Sequence, residues 1–501
     1  MKKLTIHIKI LMLVLFTFGC SDFLEEDPKG LMAPEGFFKS PTDVEAAVMG
    51  AYAEWVTVPL SRDLQLMVML RSDMVAIGDR NTVGDRIAIN DFSLDANNSL
   101  VRQVWVYFFR SISAANTAIK AARQIEAEQD IKDALEAEGR FIRAYSYFHL
   151  VRLFGAVPYM DAPIESAAVL DGTGRTPTEE IYPQIIEDLK FAKQHLPEKH
   201  VADVRNRATA GTATTVLADV YLTLEQYTQA ATEARYVINN AGNFNYMLED
   251  NYQDLFNGDL DGTLKEQILT IDFENTLDHN SYNQDWLIPQ TRIRDYGKRS
   301  LSVTVPSLKV YETWDARDYR KSVSFEDSVI IKGEKVALTD TDFRAPRPHI
   351  AKYFRYPGPQ DGGDDRRGDN DYNLYRYADV LLIAAEAINE TDGATAEAIS
   401  YINAIRERAR FNGEEHNDYS ANVQSGVSTD EFRQIIREER RLELAFEFKR
   451  WYDIKRWGIL IEAFTQPQSL ETHDVDPKRD YLFPIPQTEV DVTGFDQNYG
   501  Y

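Results

Sequence analysis

The chain has 501 residues, 80 acidic against 55 basic, and a formal charge of −25 at pH 7. That balance excludes an electrostatically driven nucleic-acid binder, since a polyanionic duplex is repelled and no long Lys/Arg run supplies a local basic patch. Hydrophobic residues at 44% and aromatics at 11% suffice for a large core, and 26 tyrosines with 6 tryptophans also suit surfaces that stack on flat ligands such as sugar rings.

Lys2, Lys3 and Lys9 precede an apolar run from Ile10 to Phe18 and then Gly19-Cys20. The run falls short of the ~20 residues of a membrane-spanning helix, so 1–19 reads as a cleaved signal peptide. Cys20 is the one cysteine of the chain and directly follows a small residue, the placement of a bacterial lipoprotein's acylated thiol. The leucine usual three residues before such a cysteine is absent from Thr17-Phe18-Gly19-Cys20. Cleavage removes three lysines and no acids, taking the formal charge to −28. Residues 20–40, with Asp22, Glu25, Glu26 and Asp27 beside Pro28 and Gly30, read as a lipidated, solvated tether, and the folded body as a single domain over 41–501.

From 41 to 242 the pattern is helical. Ser40-Pro41-Thr42-Asp43 and Thr176-Pro177-Thr178-Glu179-Glu180 both predict helix starts. "VLADVYLTLEQYTQAATEARYVI" places Leu217, Ala218, Tyr221 and Ala230 at the offsets of a tetratricopeptide helix-turn-helix unit, where alanines let antiparallel helices approach. "FIRAYSYFHLVRLFG", with Ala144 and Tyr147, is a half-copy. From 243 to 373 the helical period disappears: "NQDWLIPQTRIRDYGKRS" is irregular, "SVIIKGEKVAL" is β-like, and "DGGDDRRGDND" is an acidic loop. Its spacing fails the EF-hand template and it contains two arginines, so it reads as a solvated loop and not a metal site.

From 374 to 501 helices return. "YADVLLIAAEAINETDGATAEAISYINAIRERAR" repeats the tetratricopeptide pattern with Ile383, Ala384 and Ala396. The copies are too far apart in sequence for a continuous array, which predicts a right-handed helical scaffold interrupted by long insertions. "RRLELAFEFKRWYDIKRWG", residues 440–458, carries apolar residues on nearly every side if read as one helix, so neighbours must cover both flanks. Its charges Glu443, Glu447, Arg450, Asp453 and Arg456 recur every three or four residues, the spacing of intrahelical ion pairs, and the segment reads as structural rather than catalytic. The predicted fold is therefore mainly α: a tetratricopeptide-like α-α superhelix with irregular insertions and a few short strands.

These segments, with "SLVRQVWVYFFRSISAANTAI", "RTPTEEIYPQIIEDLKFAKQHLP", "VPSLKVYETWDARDYR" and the ending "YLFPIPQTEVDVTGFDQNYGY", resemble the SusD/RagB family in its own order and over nearly the whole mature chain. The resemblance implies an outer-membrane, lipid-anchored and surface-exposed protein. Such a protein captures nutrients, commonly oligosaccharides, for a SusC-like TonB-dependent transporter. It also implies that 440–458 is a buried scaffold helix whose charges pair with neighbouring helices, and that 243–373 faces the ligand. Matched by position to the sugar platform of starch-binding relatives, the candidate ligand-binding residues are Asp73, Arg80, Asn81, Trp286 and Tyr296. The bland alternatives are a turn cap for Asp73, a solvated Arg80 and a core Trp286 beside Leu287 and Ile288.

The leading expectation is thus a non-catalytic glycan-binding lipoprotein without cofactor. A peptide-capturing member of the same family is the alternative. A paired-carboxylate glycosidase needs only two carboxyls ~5–9.5 Å apart, but no H-E-x-x-H, C-x-x-C, G-x-S-x-G or Walker motif occurs and the eight histidines are scattered. A pure protein scaffold is the third class.

Overall fold

Amphipathic helices of this kind bury their apolar stripes only against one another. The structure, a computed structural model, describes residues 37–57, 59–163, 173–273, 285–297, 299–354 and 368–501. The leader, Cys20, the tether up to residue 36 and 361–367 of the acidic loop lie outside the described residues. The scaffold helices are α1 (Pro41–Thr57), α2 (Ser99–Gln124), α3 (Gln129–Phe154), α4 (Thr178–His195), α5 (Ala210–Thr223), α6 (Tyr227–Asn239), α7 (Tyr377–Asp392), α8 (Ala396–Ala409), α9 (Thr429–Glu443) and α10 (Arg450–Arg456).

Local chemistry sets where these helices begin. Asp43 accepts from Ser40 N and Ser40 Oγ at 2.9 and 2.8 Å, tying off the start of α1. Asn98, Thr209 and Thr395 cap α2, α5 and α8, and Ser428 with Glu431 forms a capping box on α9. The second predicted start differs: α4 begins at Thr178 after Pro177 without a side-chain cap, and Glu179 and Glu180 in its first turn complement the helix dipole instead.

Each helix from α1 to α6 packs on the next, α6 packs on α7, and α7 packs on both α8 and α9. The array is therefore continuous in space although the sequence separates its copies. Close approach needs small residues: a Cβ on Gly139 of α3 would lie 2.8 Å from Ile119 Cγ1 and 3.2 Å from Ala115 O of α2. Continuity across the insertion comes from strand β2 (Gln267–Ile271), which pairs antiparallel with β8 (Tyr372–Arg376). Every residue of both strands is buried, so the two ends of the insertion are zipped together and α7 resumes where α6 stopped.

Inside the insertion, β3 (Thr304–Pro306) pairs with β1 (Val75–Ile77) from the N-terminal part. β4 (Phe325–Glu326) pairs with β7 (His349–Ile350), and β5 (Ser328–Ile331) forms a hairpin with β6 (Glu334–Ala337). One apolar core runs from Val48 in α1 to Ile485, and a small satellite of Ile293, Val329 and Leu338 underlies the hairpin. No helix among the described residues is long and apolar enough to cross a membrane.

Residues 440–458 are not one helix. α9 ends at Glu443, and the chain turns through 444–449 before α10, with Phe446 and Phe448 both at φ 66°. Left-handed backbone is costly for aromatic residues, and the surroundings hold it in place. Leu444, Ala445 and Phe446 enter the core. The carbonyls released by the break are claimed by the insertion and the end of β8: Tyr252 Oη donates to Glu443 O at 2.6 Å, Arg376 Nη2 to Glu443 O at 2.8 Å and Tyr353 Oη to Phe446 O at 2.5 Å.

The charges of this segment do pair, but mostly with distant elements. Glu443 meets Arg376 at 2.6 Å and Arg320 at 3.1 Å, and also Arg408. Glu447 meets Lys352 at 2.7 Å and Arg376 at 2.8 Å. Glu266 and Asp318 of the insertion, Glu439 of α9 and Arg406 of α8 complete the hub, so five cations face five carboxylates, nearly all without solvent contact. Burial alone would raise Glu443, yet Arg408, Arg376 and Arg320 hold it down to about 2. A second cluster joins Asp453 to Arg440 at 3.1 Å and to Arg456 at 2.9 Å, with Arg456 also bound to Glu386 of α7. Of the predicted three- and four-residue pairs within 440–458, Asp453 with Arg456 forms.

Of the acidic loop, only 368–371 are among the described residues. Its last residue, Asp371, sits against the start of β8, where its N–H donates to Asp261 Oδ2 at 2.9 Å and its Oδ1 accepts from Phe273 N at 3.1 Å. Neighbouring Asp272 accepts from Thr270 Oγ1 and Asn206 Nδ2, each at 2.6 Å. Partial burial together with repulsion among these carboxylates pushes Asp261 up to about 7 and Asp371 up to about 9, so Asp371 keeps its proton at neutral pH. Both oxygens of Asp272 are committed to protein donors, and among the described residues no group of three or more His, Cys, Asp or Glu side chains is placed to hold a metal ion.

Candidate ligand-binding face

The five candidate residues come from two stretches that the β1–β3 pairing joins. The pairing continues past the strand end, with Gly78 N donating to Val303 O at 3.2 Å and Asp79 N to Ser302 O at 2.8 Å. A Cβ on Gly78 would fall 2.5 Å from Ser302 O and 2.6 Å from Val305 Cγ1, so the approach requires glycine. Asp79 Oδ1 then accepts from Asn81 N at 2.8 Å, closing a turn that leaves Arg80 and Asn81 exposed.

Asp79 carries the junction. Its Oδ2 lies 3.0 Å from Arg294 Nη1 and 3.9 Å from Arg344 Nη1. Arg344 in turn grips Asp295 through its backbone N–H at 2.9 Å and its guanidinium at 2.6 Å, and these hydrogen bonds hold Asp295 down to about 2. Asp295 adopts φ 74°, a left-handed turn that this grip supports. Tyr296 follows, half-buried, with its hydroxyl donating to Ile330 O at 3.0 Å and its ring 6.1 Å from Phe343. Arg80, with 58% of its side chain exposed, pairs with Asp91 at 2.5 Å. The 78–81 turn, the 294–296 turn and the 343–344 segment thus form one rim offering guanidinium and amide groups beside two aromatic rings.

Trp286 belongs to a second patch. Its ring lies 4.9 Å from the Arg62 guanidinium, which also donates to Gln103 Oε1 of α2 at 3.2 Å. Leu287 and Ile288 behind it are core, while Trp286 itself is half-buried. Asp285 fixes this bend by accepting from Leu287 N at 2.9 Å and Ile288 N at 3.1 Å, and it also accepts from Tyr372 Oη. Burial raises Asp285 to about 7 against the lowering effect of those bonds.

Asp73 is placed apart from both patches. It is 2% exposed and receives Arg450 through a two-point pair, Nε to Oδ1 at 2.7 Å and Nη2 to Oδ2 at 2.6 Å. Both oxygens face the protein, so Asp73 anchors the segment leading into β1 to α10. The sequence reading missed Asp79, Arg294, Asp295, Phe343 and Arg344. The arginines of "RIRDYGKRS" and "DFRAPRPH" were visible, but nothing local to either run signals that they share Asp79.

Residues 215–501 match the model of the SusD family, and residues 22–222 match a model described as starch-binding, associating with outer membrane. The chain is 43% identical over 503 residues to SusD-like protein P2 of Formosa agariphila, covering 98% of this chain and 97% of the other. A SusD homolog from Bacteroides thetaiotaomicron superposes with a TM-score of 0.81 at 23% identity, covering 93% of this chain and 98% of that one. Surface glycan-binding protein A from the same species, in complex with laminarihexaose, gives a TM-score of 0.74 at 20% identity over 91% and 99% of the two chains. At these identities the structural likeness speaks for the fold alone.

Proposed function

The chain belongs to the SusD/RagB family, and from that premise we propose that it is a non-catalytic outer-membrane lipoprotein that captures oligosaccharides and passes them to a SusC-like TonB-dependent transporter. The observation that carries this reading is the whole-length likeness to SusD-like proteins in a chain whose exposed Arg80 and Asn81 and half-buried Tyr296 and Trp286 lie outside the helical array. Cys20 holds the protein on the membrane by its acyl chains. Arg80, Asn81 and Tyr296 contact the ligand on the rim, and Trp286 contacts it on the neighbouring patch. Asp73 acts behind them, by anchoring the segment that carries Arg80. Sugar binding of this type uses stacking and hydrogen bonds that stay partly wet, and it needs no reaction.

The test is calorimetric titration of the full folded body with a panel of neutral and charged oligosaccharides and of peptides, with product analysis in parallel. Heat from one glycan class without new products supports the proposal. Heat from peptides alone moves the chain to peptide capture, and cleaved glycan makes it a hydrolase. Cys20→Ala should release the protein from membranes, and retention after a carbonate wash overturns the anchor. A TonB-dependent barrel should co-purify from detergent extracts of native membranes.

A further inference from the structure

A short helix, Leu64–Leu70, lies over α3 and the start of α10, and a cavity of about 30 Å³ remains where they meet the end of β8. Gln65, Tyr145, His149, Lys449 and Tyr452 are among its lining residues. Two of these carry buried polar atoms without a protein partner, His149 Nε2 and Gln65 Oε1. His149 is 5% exposed and Gln65 1%.

The hydrogen bonds at the far ends of both side chains fix which atom donates. His149 Nδ1 lies 2.9 Å from Tyr452 Oη and 3.4 Å from Arg152 Nη2. A guanidinium can only donate, so Nδ1 is the acceptor and the ring proton resides on Nε2. Burial, reinforced by Arg152 and Lys449, keeps the ring neutral by lowering its proton affinity well below the ordinary histidine range. Gln65 donates its amide Nε2 to Leu60 O, which leaves Oε1 as the acceptor. The cavity is therefore lined by a residue with one unpaired donor and a residue with one unpaired acceptor.

We infer that one ordered water occupies this cavity, accepting from His149 Nε2–H and donating to Gln65 Oε1. Its volume suits a single water, and a buried water needs two to four polar partners. Leaving a buried donor and acceptor unmade would instead forfeit the hydration each has in the unfolded chain. The water would complete the joint through which α3, the short helix and α10 are held together.

A crystal structure of the full folded body at high resolution should show one peak within hydrogen-bond distance of both atoms. Nitrogen NMR of histidine-labelled protein should show His149 as the Nε2-protonated neutral form, with magnetisation transfer from that proton to a long-lived water. His149→Phe and Gln65→Leu should each lower the melting temperature, and the double variant should lose less than the two shifts added, because neither group is left stranded. A dry cavity, an Nδ1-protonated ring, or a direct His149 to Gln65 hydrogen bond would overturn the assignment. If a substituted chain fails to fold, the crystallographic and NMR readings on the unsubstituted protein still decide it.

Discussion

The hub around Glu443 and Glu447 and the rim around Asp79 are both assembled from arginine–carboxylate pairs, yet water reaches only one of them. In the hub, Arg376 is fully buried and is shared by Glu266, Glu443 and Glu447, three carboxylates from the insertion and the C-terminal part. On the rim, Arg80 and Arg344 are about half exposed, and each holds a carboxylate that is itself partly open to water. A buried charge cannot lose its partner cheaply, since no solvent replaces it. An exposed pair exchanges its partner for water at little cost and can exchange it for the hydroxyls of a ligand too. The same chemistry thus serves as a clamp in one place and, on the function proposed above, would serve as a contact surface in the other.

The largest expected effect breaks the clamp. Glu447→Ala strands Lys352 in the interior and leaves Arg376 with two of its three carboxylates, and should cost ~3–5 kcal/mol of unfolding free energy, read by chemical denaturation. A loss below ~1 kcal/mol would mean the hub is not the closure it resembles.

The aspartates at the base of the insertion sharpen the comparison, because they are partly buried against one another without a cation. Above about pH 4 an unfolded aspartate has released its proton, whereas Asp371 in the folded protein keeps one up to about 9. Stability is therefore present at low pH and lost as pH rises across that window, by up to ~1.4 kcal/mol per pH unit for each retained proton. Asp371→Asn should flatten the fall in melting temperature between pH 6 and pH 9. Parallel slopes for the two proteins would refute the shared-proton description.

On the exposed side the expected effects are smaller. Trp286→Ala should weaken oligosaccharide binding roughly five- to tenfold, ~1 kcal/mol of stacking, with the melting temperature nearly unchanged. If Trp286 is core instead, the same change costs ~3–5 kcal/mol of stability and binding falls only with the folded fraction. Tyr296→Phe removes the bond to Ile330 O while keeping the ring, so it should cost ~0.5–1.5 kcal/mol of stability. Affinity should survive if the ring is what the sugar meets, and an equal loss in both quantities would assign Tyr296 to the hairpin rather than to the ligand.

Much of the scaffold was legible because its signals are local. The Ser40 helix start, the alanines of the α5–α6 and α7–α8 pairs, and the β-like run that forms β5 and β6 each occupy a few consecutive residues. The stacking of α6 on α7 was not legible, since it depends on β2 finding β8 a hundred residues later. The break at Phe446 and Phe448 was hidden for a similar reason. Helical periodicity favours continuity there, and what overrides it are hydroxyls and a guanidinium from Tyr252, Tyr353 and Arg376, far away in sequence. Asp73 shows the limit of transfer by position. It lies in the expected stretch, but seven residues before Arg80 the chain is still inside the core, and Arg450 takes both its oxygens.

The most direct test of the contrast between clamp and contact is titration of the best-binding oligosaccharide from the panel into two variants at matched folded concentration. Glu447→Ala should bind with the affinity of the parent despite its lost stability. Arg80→Ala, at unchanged stability, should bind roughly fivefold more weakly, equivalent to ~1 kcal/mol. Weakened binding by folded Glu447→Ala together with full affinity in Arg80→Ala would contradict the account.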